Sequence, residues 1–217
     1  GALTHFAQPM DRAFTKEQRN RFLSVLERTK IHRQKDFLVH ADNSSSLRSF
    51  DRDNIFNAVR IGLLQFGVSP PQESILANLE VEPVLSFHAK LAMIKNLPKG
   101  TTLSYGRQFT LKRNSKIEII SAGYGDAIPL PCGNRAHGLI DGHPYPLVGR
   151  VTMDQTLIDL TDMKNEIKPG QVVTLIGTQG KKEILLTELA NHADTIPWEL
   201  LCSITKRVPR IYTTKRE

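Results

Sequence analysis

The chain is expected to fold as a parallel α/β sheet or barrel over residues 1–80, followed by an all-β barrel or sandwich over residues 81–217. Two observations predict this. Strand-like and helix-like runs alternate through roughly the first 65 residues, the pattern of strands joined by crossover helices. After Glu82-Pro83, short runs of period-two hydrophobicity separated by turn dipeptides take over.

The elements follow in order. The chain opens at Gly1 and enters the apolar-polar stretch Leu3-Thr4-His5-Phe6-Ala7 at once, so it is expected to begin inside a strand, with sequence upstream removed. Thr15-Lys16-Glu17-Gln18 is expected to open a helix whose apolar positions Phe22, Leu23 and Leu26 share one face and which runs to about Lys30. Asp36 to Ala41 reads as a second strand. The polar cluster Asp42-Asn43-Ser44-Ser45-Ser46 suits the start of a short helix, and Asn57 to Gly62 reads as a third strand. The pattern changes from Pro70-Pro71. Leu85, Phe87, Ala89, Leu91 and Met93 then alternate with polar residues, as one face of a strand does. Further strands are expected at Lys116–Ser121, Ala136–Ile140, Tyr145–Arg150 and Val172–Ile176, with Asp141-Gly142 and Gln179-Gly180 as hairpin turns. Helices near Leu186–His192 and Pro197–Ile204 precede an extended end from Arg207 to Tyr212.

Composition narrows the function classes. The charge is +7, but basic residues are scattered, densest at Arg28 to Lys35 and Lys206 to Arg216, and aromatics are 6% and not interleaved with them. That argues against nucleic acid, which needs stacking platforms beside its cations. No apolar run approaches the ~20 residues of a membrane span, and no secretory leader is read, so a cytoplasmic protein is expected. Cys132 and Cys202 read as free thiols, and no metal-ligand set is read in the sequence.

The first three apolar runs each deliver a polar or glycine group at the C-terminal end: His5, then Asn43-Ser44, then Arg60 with Gly62. In an α/β barrel that edge carries the active site. A hydroxyl, glycine N–H groups and a helix N-terminus together suit a phosphate. Taken singly, Asn43-Ser44 reads more simply as a helix N-cap and His5 as a core histidine, and only the combination points to a site.

Thr4-His5-Phe6-Ala7, Asn43-Ser44, Val59-Arg60-Ile61-Gly62, Ser104-Tyr105-Gly106, Gly123-Tyr124-Gly125-Asp126, Val148-Gly149-Arg150-Val151-Thr152-Met153-Asp154-Gln155 and Arg207-Val208-Pro209-Arg210 resemble, in order and spacing, the landmarks of the alanine racemases. The resemblance implies the last strands of a TIM-type barrel that binds pyridoxal 5'-phosphate (PLP), followed by the family's C-terminal β domain. It implies a two-base interconversion of L- and D-alanine for peptidoglycan, in a bacterial cytoplasmic homodimer with shared active sites. Tyr105 then matches the catalytic tyrosine. An ordinary phenol, with a pKa of about 10, is a poor base near neutral pH, so partners are expected, and His5 and Arg60 match the family's hydrogen-bonded pair. Arg60 would face the pyridine nitrogen of the cofactor and His5 would link it toward the tyrosine. Ser44, Gly62 and Leu63 match the phosphate contacts, with Asn43 as their neighbour. Met153 matches the residue whose N–H meets the substrate carboxylate, Tyr124 and Asp154 match the substrate entrance, and Asp126 is expected to shape a turn.

Two departures stand out. Trp198 occupies the place of a phosphate-contacting tyrosine, which leaves serine or a broader set of amino acids as competing substrates; Thr152 stands in place of a commoner cysteine, without evident consequence. The family's Schiff-base lysine lies in the barrel half that precedes His5, so the chain alone is expected to be inactive. An interaction module that lends Tyr105 and Tyr124 to a partner's site, and a non-catalytic homologue, are the alternatives from other classes.

Overall fold

In a computed structural model, the backbone of β1 (Ala2–Leu3) pairs in parallel with β2 (Val39–His40), Ala2 opposite Val39 and Leu3 opposite His40. The structure describes residues 1–47, 54–70, 76 and 78–213 and divides into two compact units, Gly1–Val84 and Leu85–Glu217. Pro71, the end of the basic group after Thr213, and the greater part of the short helix expected after residue 46 lie outside the described residues; Ser44 to Leu47 themselves form a turn.

The strands of the first unit are joined by α1 (Arg12–Thr29), which starts earlier than Thr15 because Asp11 caps it: its carboxylate accepts the Phe14 N–H at 3.0 Å. Thr15 lies buried inside the first turn, its hydroxyl donating to the Gln8 carbonyl at 2.8 Å. Lys30, at φ 54°, ends the helix in the left-handed region. The expected third strand is reduced to one parallel bridge, Ala58 to His40. Beside that bridge the Asn57 side chain takes the place of a rung, accepting the Val39 N–H at 2.8 Å and donating to the Phe37 carbonyl at 2.9 Å. The chain still tracks β2, since the Asn57 and Arg60 N–H groups donate to the Val39 and Asp42 carbonyls, each at 3.0 Å.

The second unit is built on β3 (Phe87–Leu97), β6 (Ser115–Ile120), β7 (His137–Ile140), β8 (His143–Val148), β9 (Thr156–Asp159), β10 (Val172–Gln179) and β11 (Lys182–Ile184), in the order β11-β10-β3-β6-β9-β8-β7. An added antiparallel bridge, Thr174 to Leu139, joins β10 back to β7 and closes the strands from β10 to β7 into a barrel, with β11 as an edge strand on β10. A small ribbon, β4 (Thr102–Leu103) with β5 (Phe109–Thr110), lies between β3 and β6 in sequence. Asp141 and Gly142, at φ 50° and 74°, make the two-residue turn between β7 and β8.

Leu91, Ile120, Ile140, Leu147, Ile158, Val173 and Leu175 are at most 1% exposed and form the barrel interior, while Leu139, equally buried, points to the other face of the sheet beside Thr174. The alternation read from Leu85 holds as far as Leu91. A bulge between Leu91 and Met93 then slips the pairing with β6, which turns Met93 outward, half-exposed, instead of into the core. α2 (Leu186–His192) and α3 (Pro197–Ser203) follow β11. Among the described residues no helix is long and apolar enough to cross a membrane.

One barrel residue opposes its setting. Glu118 on β6 is fully buried, neither carboxylate oxygen has a hydrogen-bond partner among the described residues, and burial pushes its pKa up to about 6 despite the opposing charge of Lys116. The folded chain therefore holds a proton that the unfolded chain releases nearer pH 4.5, and stability from this group falls as pH rises between those values. The full shift corresponds to about 2 kcal/mol, and relaxation toward solvent and Lys116 reduces the expected effect to about 1 kcal/mol. Glu118→Gln is expected to raise the unfolding midpoint at pH 8 and to leave it nearly unchanged at pH 4. Equal shifts at both pH values in a thermal melt would show that the charge is not the cause.

Candidate active site

The first unit gathers His5, Asn43, Ser44, Arg60, Gly62 and Leu63 beyond the ends of β1 and β2. Arg60 is the hub. One guanidinium nitrogen donates to His40 Nδ1 at 2.7 Å; the other reaches His5 Nδ1 at 3.2 Å and the carbonyls of Ala41 and Thr4 at 3.0 and 3.4 Å. Among the described residues no carboxylate forms an ion pair with it. Arginine has no acceptor, so the ring nitrogens that face Arg60 must present lone pairs. His40 has its pKa lowered by burial and by the neighbouring Arg60 charge, which matches an acceptor role. His40 was missed by the sequence reading: it sits among apolar strand residues, and only the return of Arg60 to its side gives it a role.

The other face of His5 is as constrained. Asn43 folds back on its own turn, its side-chain oxygen accepting the Ser45 and Ser46 N–H groups at 3.0 and 3.1 Å, which leaves its amide nitrogen 3.2 Å from His5 Nε2. His5 thus meets a donor on both sides, and an uncharged imidazole can accept from only one. Gln18 on α1 holds the backbone here, donating to the His5 carbonyl at 2.8 Å and the Thr4 hydroxyl at 2.9 Å. A step further, the Gly62 N–H donates to Ser44 Oγ at 2.8 Å at the start of a 3₁₀ turn, Leu63–Phe66, whose first N–H, on Leu63, has no partner among the described residues. A hydroxyl and successive N–H groups are of the kind that an anion takes, the Gly62 N–H being engaged by Ser44 here.

The second unit carries the other expected residues. Tyr105 stands on the turn between β4 and β5 and is 74% exposed, with no hydrogen bond to a described residue. The turn is strained: Ser104 has φ 63° and ψ 176°, a region nearly reserved for glycine, and Arg107 has φ 50°. Gly149, at φ 73°, lies against it, and a Cβ there would come within 2.4 Å of Ser104 Oγ.

Tyr124, Met153 and Asp154 are brought together by Arg207. Its guanidinium grips Asp126 at 2.7 and 2.9 Å and Asp154 at 2.8 Å, and donates to the Met153 carbonyl at 3.1 Å. Asp126 also accepts the Gly123 N–H at 3.0 Å, so it shapes the turn as expected. The Tyr124 N–H donates to the Thr152 carbonyl at 2.9 Å. In a planar trans peptide the N–H points opposite the C=O, so the Met153 N–H is aimed away from the Tyr124 turn, and it has no partner among the described residues. Trp198 lies in the first turn of α3, partly exposed. Arg207 was noted in the sequence only as part of a motif; that it clamps two acidic residues far away in sequence was not readable there.

The model for "alanine racemase, C-terminal domain" matches residues 84–212, more than half of the chain, and that for "alanine racemase, N-terminal domain" matches residues 1–70. The chain belongs to the alanine racemase family. It is 36% identical over 217 residues to the alanine racemase of Halothermothrix orenii, covering 99% of this chain and 56% of that protein. It is 33% identical to that of Clostridium novyi, again over 56% of its length. Among solved structures, the alanine racemase from Bacillus anthracis with bound L-Ala-P superposes with a TM-score of 0.85 at 37% identity, over 98% of this chain and 55% of that one. The enzyme from Bartonella henselae, with covalently bound pyridoxal phosphate, gives 0.77 at 28% identity, over 97% and 56%. The chain thus spans somewhat over half the length of these racemases, and its fold is that of a partial TIM-type barrel followed by the family's β domain.

Proposed function

We propose that the chain supplies the phosphate cradle, the pyridine-facing arginine and the catalytic tyrosine of a PLP-dependent alanine racemase, whose activity belongs to the whole protein. The observation that carries this reading is Arg60: a guanidinium with no ion-paired carboxylate among the described residues, held by two imidazoles and two carbonyls, close in sequence to Gly62.

The residues fit the cofactor. The Ser44 hydroxyl and the N–H groups of Gly62 and Leu63 would hold the phosphate, with Asn43 stiffening the turn. When bound, PLP would take up the electron pair left as the alanine Cα–H bond breaks. Arg60 can only donate, so it would keep the pyridine nitrogen unprotonated and temper that electron sink. With Arg60 at Nδ1, an uncharged His5 would carry its proton on Nε2, which Asn43 faces in this structure and which a tyrosine from a second subunit would have to take over. Tyr105 would remove or return the proton at one face of Cα. The Met153 N–H would bind the substrate carboxylate, with Tyr124 and Asp154 at the entrance. The exposure of Tyr105, on a turn whose strain sets its direction, suits a residue presented to a site completed by a second subunit of a homodimer. D-alanine supply to peptidoglycan in a bacterial cytoplasm is the accompanying role.

The test is formation of D-alanine from L-alanine by the whole protein supplied with PLP, alongside L-serine. Turnover of alanine well above serine is expected. Protein that binds PLP yet racemises neither would overturn the reading, and preference for serine would reassign the substrate.

A further inference from the structure

Away from these residues, the β unit gathers three metal-ligand side chains that the racemase reading does not use. His137 opens β7, and Glu188 and His192 lie one turn apart on the same face of α2. Glu188 Oε1 is 3.6 Å from His137 Nε2 and 3.9 Å from His192 Nε2, and one ligand atom from each of the three residues lies within 4.8 Å of the others. The imidazoles stand edge to face, centroids 6.4 Å apart at 80°.

Four features distinguish this group from a chance surface cluster. The contacts are too long for hydrogen bonds, and among the described residues none of the three side chains hydrogen-bonds elsewhere, so the ligand atoms converge without being used. Two of the three separations are also near those a metal imposes: bonds of about 2.0–2.1 Å in a tetrahedron place neighbouring ligand atoms about 3.3 Å apart, so the two contacts to Glu188 contract by about 0.3 and 0.6 Å, and the imidazole nitrogens, within 4.8 Å of each other, close by a ring rotation. Each side chain is only about a third exposed, at 31%, 37% and 33%, which steadies the ligands and leaves coordination positions open to water. Local charge is balanced, because Arg135 is paired with Asp194 and donates to the His192 carbonyl at 3.1 Å.

We infer that His137, Glu188 and His192 form a binding site for one divalent transition-metal ion, with Zn²⁺ the best match to two imidazoles and a carboxylate. Two nitrogens among three ligands select against Mg²⁺ and Ca²⁺, which take oxygen. The ion clamps α2 onto β7, and its binding energy adds to the stability of the β unit because the unfolded chain holds no such triad.

The test uses the chain in metal-free buffer, titrated with Zn²⁺ alone by calorimetry and with Co²⁺ by visible absorption, and melted with and without Zn²⁺. One equivalent is expected to bind, with a tetrahedral-type Co²⁺ band and a midpoint raised by several degrees. The double substitution His137→Gln, His192→Gln should weaken binding at least 100-fold and abolish both signals, with circular dichroism confirming the fold. Glu188→Gln, which keeps both imidazoles, should weaken binding about 10-fold and covers the case in which the double variant does not fold. Absence of saturable binding to the unaltered chain would overturn the inference. So would unchanged affinity in Glu188→Gln, because the ion would then sit on other histidines. Neither readout depends on racemisation, so the outcome is independent of the proposed activity.

Discussion

Tyr105→Phe in the whole protein is expected to lower racemisation of alanine by roughly 10²–10⁴, the usual contribution of a positioned proton-transfer group. KM should change little, because phenylalanine keeps the ring and loses only the hydroxyl. Stability should not change either, since Tyr105 is 74% exposed and its hydroxyl makes no hydrogen bond to a described residue. That separation gives the prediction its force: a fall in kcat with an unchanged melting midpoint assigns the loss to chemistry. Undiminished turnover from both L- and D-alanine would remove Tyr105 from the mechanism. Ser104 bears on the same result, because its φ of 63° with ψ of 176° aims the tyrosine at a cost of roughly 1–3 kcal/mol in backbone strain. A fold does not keep such strain where an ordinary turn would serve.

Arg60→Gln should act on both structure and chemistry. The guanidinium joins His40, His5, Thr4 and Ala41, and its loss removes charge-assisted hydrogen bonds that tie β1 to β2, at about 2 kcal/mol of stability. In the loaded enzyme the substitution should lower racemisation by roughly 10²-fold. It should also raise the share of pyruvate formed from alanine, because a ring nitrogen free to take a proton makes the cofactor a stronger electron sink. The sign of the pyruvate change is the decisive part. A variant that loses activity with no increase in pyruvate per turnover would leave Arg60 a scaffold residue. Arg60→Lys keeps the charge but not the planar fork and should recover activity only in part.

The sequence and the structure agree where local pattern decides the outcome. Asp141-Gly142 makes the expected hairpin, α2 spans the expected residues, and Phe87, Ala89 and Leu91 point as their alternation says. Agreement stops where long-range partners decide. The bulge after Leu91 depends on the register of β6, so the outward turn of Met93 could not be read from β3 alone. The start of α1 was misplaced because Asp11, its cap, stands before the apolar periodicity begins. In the site, Arg60 and Ser44 were visible as motif residues. His40, Gln18 and the Arg207 clamp were not, because each acquires a role only by contact with a segment distant in sequence. The His137, Glu188 and His192 group is the extreme case, two residues on a helix and one on a strand.

Whether this chain's tyrosine moves the α-proton of alanine is tested most directly by racemisation of L-alanine in D₂O by the PLP-loaded whole protein. The account predicts D-alanine carrying deuterium at Cα, formed by the unaltered protein and slowed by orders of magnitude in Tyr105→Phe. D-alanine that carries deuterium at the same rate in both proteins would contradict it.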